Sequence, residues 1–167
     1  MLKIKNNKLS TEGIQFTLPD NFYIDIEGME GVHPDGLHLL SVEEDCIIGF
    51  ITTEIEFNTP VESLLDIFMD DVRNIGIADN MFIENETGYI WIEEPQMKEL
   101  NGLKCAVAKY HTKYSFYYEI HFERIEGYER QFEVLLEVPK KCRVDLETVL
   151  RRESLKAFYD SFELLNE

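Results

Sequence analysis

The stretch SFYYEIHFERIEGYERQFEVLLEV, residues 115–138, alternates so regularly that it leaves little choice of local structure. Phe116, Tyr118, Ile120 and Phe122 share one parity, which Phe132, Val134 and Leu136 continue beyond the turn. Tyr117, Glu119, His121 and Glu123, then Glu133, Leu135 and Glu137, share the other. Successive side chains of a strand point to opposite faces, so the pattern predicts a β-hairpin with one apolar face and one carboxylate-lined, histidine-centred face. Charge fixes the register. Setting Phe122 opposite Phe132 places His121 against Glu133 and Glu123 against Gln131. A slip of two residues sets Glu123 against Glu133 and Glu119 against Glu137, and like charges directly opposite are destabilising. The first register is expected, with the loop around Gly127.

Other strands follow from the same rule. Ile14, Phe16 and Leu18 alternate up to Pro19, and Phe22 to Ile26 is extended. Leu37 to Val42 precedes an acidic turn at Glu43, Glu44 and Asp45. Cys46 to Phe57 begins apolar on both parities, as a central strand does. Strand signals return at Tyr89 to Ile92. Asn101-Gly102 is a hairpin turn signal that pairs Leu100 with Leu103, Lys98 with Cys105 and Glu94 with Lys109. Pro95 lacks a donor and calls for a bulge or an edge. On the next strand Ala106, Ala108 and Tyr110 share a face, where two alanines leave room for a helix.

The clearest helix starts at Thr59 as N-cap, with Pro60 in its first turn and Glu62 completing a capping box. Val61, Leu64, Leu65, Phe68, Val72 and Ile75 fall at helical spacing, and Gly76 is expected to stop it. Asp145 to Asn166 is expected to be helical, with stripes at Leu146, Val149 and Leu150 and at Leu155, Phe158, Phe162 and Leu165. Together these elements predict an α+β fold, a mostly antiparallel sheet packed by two main helices. A chain of 167 residues without repeats or linkers reads as a single domain, 1–167.

Charge narrows the function. Lys and Arg total 16 against 33 Asp and Glu, a formal net charge of -17. Such a chain repels phosphate backbones, so nucleic acid and anionic membranes are not expected partners. A basic protein would be drawn to it. Cys46, Cys105 and Cys142 form no CxxC and are odd in number, which fits free thiols in a reducing compartment. The N-terminal MLKIKNNKLSTEG has no apolar signal-peptide core, and a cytoplasmic protein is expected.

The ends of the chain carry a resemblance. GIQFTLPDNF resembles the opening strand of the Mog/PsbP-like group, which often begins G-x-x-F-x-x-P. LKAFYDSFELL is similar to that group's closing helix, with its Ser-Phe pair at Ser161 and Phe162. The resemblance spans nearly the whole chain and implies an α/β/α sandwich. Members of the group include a Ran-binding protein, extrinsic photosystem subunits and bacterial chaperones for secreted effectors, and they mostly act by binding other proteins. No set of functional residues maps onto this chain. The export signals of the group's exported members are not expected here, which sets the chain apart from them.

Three constellations compete for chemistry. On the hairpin, Glu119, His121 and Glu123 stand about 7 Å apart, too far to close on one metal ion at about 2–2.6 Å. Lys109, His111 and Lys113 on the preceding strand are placed to pair with the carboxylates. The face reads as solvated, or as a protein-binding surface in which Tyr117 and Leu135 make apolar contacts and Glu119, His121, Glu123, Glu133 and Glu137 surround them. His33, Asp35 and His38 sit around a turn and are a weaker metal candidate. Glu93-Glu94 and Asp70-Asp71 are what an acidic composition supplies by itself. Cys142 lies between Lys141 and Arg143, a cationic setting that can activate a thiol. No GxSxG, GxGxxG or GxxxxGK[ST] occurs.

The expectation is a non-catalytic cytoplasmic protein-binding module without cofactor, of adaptor, chaperone-like or immunity type, with a partner that is basic. It is monomeric or a weak homodimer through the strand at Pro95. The alternative is a small-ligand or metal-binding protein or hydrolase with a pocket between sheet and helices.

Overall fold

A computed structural model describes residues 3–24, 37–54, 63–78 and 88–165. Its strands are β1 (Lys3–Lys5), β2 (Lys8–Thr11), β3 (Ile14–Thr17), β4 (Phe22–Ile24), β5 (Leu37–Ser41), β6 (Ile47–Glu54), β7 (Ile90–Leu100), β8 (Leu103–His111), β9 (Ser115–Phe122), β10 (Arg130–Pro139) and β11 (Glu163–Leu164). Its helices are α1 (Ser63–Ala78), α2 (Leu146–Leu150) and α3 (Glu153–Asp160). Seven strands form one antiparallel sheet in the order β4-β5-β6-β10-β9-β8-β7, and four form a second in the order β1-β2-β3-β11. No described helix is long and apolar enough to cross a membrane.

One face of the large sheet meets the small sheet, α2 and α3 over an aromatic core. Phe16 stands at its centre, with ring centroids 5.0 Å from Phe50, 5.6 Å from Phe132, 5.5 Å from Phe158 and 4.7 Å from Phe162. The hairpin's apolar parity enters this core: Ile120, Phe122, Phe132, Val134 and Leu136 are fully buried. Helix α1 covers the other face at β7 and β8, where Leu64, Phe68 and Val72 pack on Ala106, Ala108 and Tyr110. The two alanines let the helix approach, as their spacing implies.

The register is the one expected from charge: Glu133 pairs with His121 and Leu135 with Glu119. The Asn101-Gly102 turn also forms, both residues at positive φ, with Leu100 against Leu103 and Lys98 against Cys105. Register shifts on both sides of Glu93 place Glu93, not Glu94, against Lys109. The Lys109 ammonium lies 2.9 Å from Glu93 and 2.8 Å from Glu147. Pro95 sits in this irregular stretch of an edge strand, where its missing N–H costs no ladder bond.

Other expectations are corrected. Helix α1 runs through Gly76 to Ala78, because packing of one face outweighs the propensity cost of a single glycine. Its expected cap at Thr59 to Glu62 lies outside the described residues. The C-terminal segment is not helical throughout. Asp145 caps α2 by accepting from the Thr148 N–H at 2.7 Å, α3 ends at Asp160, and Glu163–Leu164 then pairs with β3. Phe162, in the link between α3 and that strand, is buried beside Phe16. The N-terminal hairpin, β1 and β2, was not foreseen. Its turn is Asn6-Asn7, both at positive φ, which asparagine tolerates and a two-residue hairpin requires.

Candidate functional site

The hairpin's polar parity is not the wet side of the sheet. His121 is fully buried, and Glu119, Glu133 and Tyr117 are 4%, 8% and 5% exposed. They lie on the α1 face. Ala106 pairs with His121 and Ala108 with Glu119, so the face that receives the helix is the face that carries the histidine. The Phe68 ring meets the imidazole edge to face with centroids 4.7 Å apart. Lys109 does not reach these carboxylates, because it pairs with Tyr118 and points to the opposite face.

Glu119 links the enclosed groups. The Tyr110 hydroxyl donates to Glu119 Oε2 at 2.7 Å, and the other Glu119 oxygen lies 2.7 Å from His121 Nε2. His121 Nδ1 stands 3.7 Å from Glu133 Oε1. Burial, and next the Glu119 charge, push the Tyr110 hydroxyl well above its ordinary range, so it stays a donor. Tyr117 stacks on Tyr110 at 5.0 Å. The imidazole thus directs its two nitrogens at two separate carboxylates. Among the described residues no three His, Cys, Asp or Glu side chains gather where one cation could be held.

The remaining expected residues are scattered. Glu123 is half-buried, 3.9 Å from Lys104. Glu137 is half-buried and accepts from the Ser115 hydroxyl at 2.6 Å. Leu135 is half-buried beside the α1 cluster. His38 lies half-buried on β5, its ring against Gly49, while His33 and Asp35 lie outside the described residues. Cys142 is half-buried with Sγ 3.7 Å from the Glu44 carbonyl.

Beyond α1 the same sheet face continues over β10, β6 and β5. Glu133 pairs with Ile51 and Glu137 with Ile47, while Ile47 pairs with Leu40. Leu40, Ile47, Ile51 and Leu135 are only half-buried, and Tyr23 on β4, paired with Leu40, is 44% exposed. This apolar strip with Glu133 and Glu137 along it was not recognised in the sequence. The alternation of β6 and β10 carries the signal once their pairing is known.

Architecture places the chain among known folds. It superimposes on the solution structure of the cyanobacterial PsbP protein (CyanoP) of Synechocystis sp. PCC 6803 with a TM-score of 0.62, covering 99% of this chain and 92% of that one. The fold is PsbP-like. Identity over the PsbP-like match is 11%, so the likeness concerns architecture alone. A chain from Bacteroides thetaiotaomicron VPI-5482 overlaps 98% of this chain and 50% of its own at 9% identity and a TM-score of 0.48. No protein-family model matches the sequence, and no curated protein matches it.

Proposed function

We propose that this PsbP-like chain is a single-domain, non-catalytic protein-binding module, of adaptor, chaperone-like or immunity type, acting on a basic partner in the cytoplasm. One observation carries the reading: the half-open apolar strip of Leu40, Ile47, Ile51 and Leu135, with Glu133 and Glu137 along it. Apolar contact area edged by charge is how protein interfaces are built. A formal net charge of -17 favours a cationic partner and disfavours nucleic acid. Of the residues first expected at the contact, Leu135, Glu133 and Glu137 fit this strip. Tyr117, Glu119 and His121 support it from beneath α1. The proposal includes a monomer, since Pro95 and the bulges of β7 blunt that edge against strand addition.

Tagged protein is used to capture partners from its native cell at low and moderate salt, alongside an Ile51→Lys/Leu135→Lys variant whose circular dichroism matches the parent. One protein should enrich with the parent, more strongly at low salt, and be lost with the variant. No enrichment at either salt, or equal capture by the variant, overturns the reading.

A second reading rests on His121. A histidine oriented by a carboxylate at 2.7 Å is the arrangement of a general base or a metal ligand, in a ligand site between sheet and α1. Calorimetric titration with zinc and with manganese tests the metal form. Saturable heat that disappears in His121→Gln supports it, and no heat with either ion removes it.

A further inference from the structure

The α1 face holds one buried group that the fold leaves unanswered. Gln131 is fully buried, and neither its amide nitrogen nor its amide oxygen has a hydrogen-bond partner among the described residues. Buried amides are nearly always paired, so an open donor and acceptor call for a partner outside the described residues, a water or a ligand. Gln131 shares its face of β10 with Glu133, two residues along, and Glu133 stands opposite His121. Glu119 and Glu133 give this corner two carboxylates, and Glu133 is the more exposed of them. Glu133 also pairs with Ile51, so the corner adjoins the half-open strip.

A cation with several donors suits this set. A guanidinium offers five N–H donors in a planar fork, enough to engage a carboxylate and an amide oxygen together. The Gln131 amide nitrogen then remains as a donor for a neighbouring carbonyl of the partner. An ammonium is a compact point charge without that fork. We infer that Gln131 and Glu133 form a recognition well for an arginine side chain of the partner, with Glu119 and His121 as its inner wall. The inference rests on the proposed binding strip and names the anchor that a partner would place at its end.

The test uses isotopically labelled whole protein and N-acetyl-arginine amide as probe, followed by nuclear magnetic resonance. N-acetyl-citrulline amide, of like shape without charge, and N-acetyl-lysine amide run in parallel. The Gln131 side-chain amide and the His121 ring signals should shift saturably with the arginine probe and not with citrulline. Glu133→Gln should weaken binding by about tenfold or more. Gln131→Met, which keeps the side chain's length, should weaken it as well, and serves if the first variant does not fold. Shifts equal for citrulline and arginine, tighter binding of the lysine probe, or no saturable shift while the Gln131 amide shows contact with a resident water, each overturn the well. That failure would leave the binding strip standing, because the strip is tested separately by the Ile51→Lys/Leu135→Lys capture.

Discussion

His121 shows how much one side chain's meaning depends on its cover. With its Nε2 at 2.7 Å from Glu119, its Nδ1 at 3.7 Å from Glu133 and its ring against Phe68, it is the side chain that lies between two buried carboxylates. Taking away one member of a buried hydrogen-bonded set leaves the others without their partner. His121→Leu should therefore lower unfolding free energy by about 3–5 kcal/mol in urea titration. Glu119→Gln combined with it should cost less than the sum of the single changes. A loss below about 0.5 kcal/mol for His121→Leu would mean that the site is open to water. The thiols give an independent residue-scale check. Burial pushes Cys46 and Cys105 up to about 11, so both are protonated and enclosed at neutral pH. Ellman's reagent at neutral pH should modify Cys142 alone in the folded protein and all three cysteines in denaturant.

Elements show which parts of the fold were legible in the sequence. The hairpin register was readable because like charges penalise the alternative, and Asn101-Gly102 because its turn demands positive φ. What hid was the cover of the polar face. The clue lay in Ala106 and Ala108: the strand parity that admits a helix is the parity that meets His121 and Glu119. Reading the carboxylates apart from the alanines made a sealed face look wet. The segment after Asp160 misled for a different reason, since Phe162 fits a helical stripe yet reaches the core from the link beyond α3. A tie between elements yields a further prediction. Arg152, at the start of α3, donates to Asp45 in the turn before β6, at 2.8 Å from Nη1 and through Nη2 to the second oxygen. The Arg152 hydrogen bonds hold the Asp45 carboxyl below its ordinary range against the opposing effect of burial. A carboxyl lowered on folding contributes stability that is complete above its unfolded value of about 3.9 and is lost as pH falls through the folded one. Asp45→Asn should flatten the stability profile below about pH 4 and lower the plateau at neutral pH. Parallel acid denaturation curves for the two proteins would contradict the tie.

At the scale of the whole molecule, one sheet separates two kinds of interior. One face closes permanently over stacked phenylalanines. The other is sealed by α1 at β7, β8 and β9 around a polar cluster, and then continues as a half-open apolar strip over β10, β6 and β5. A face that changes from sealed to half-open along its width can be rigid where α1 sits and still offer a contact beside it. The PsbP-like architecture accommodates this without defining a partner, since fold does not determine function. Carbene footprinting of the free protein and of its captured complex puts the account to its most direct test. Leu40, Ile47, Ile51 and Leu135 should label in the free protein and become protected in the complex, with Phe68 and His121 unlabelled in both. Labelling of Phe68 and His121 in the free protein, or a strip whose labelling the complex leaves unchanged, would contradict it.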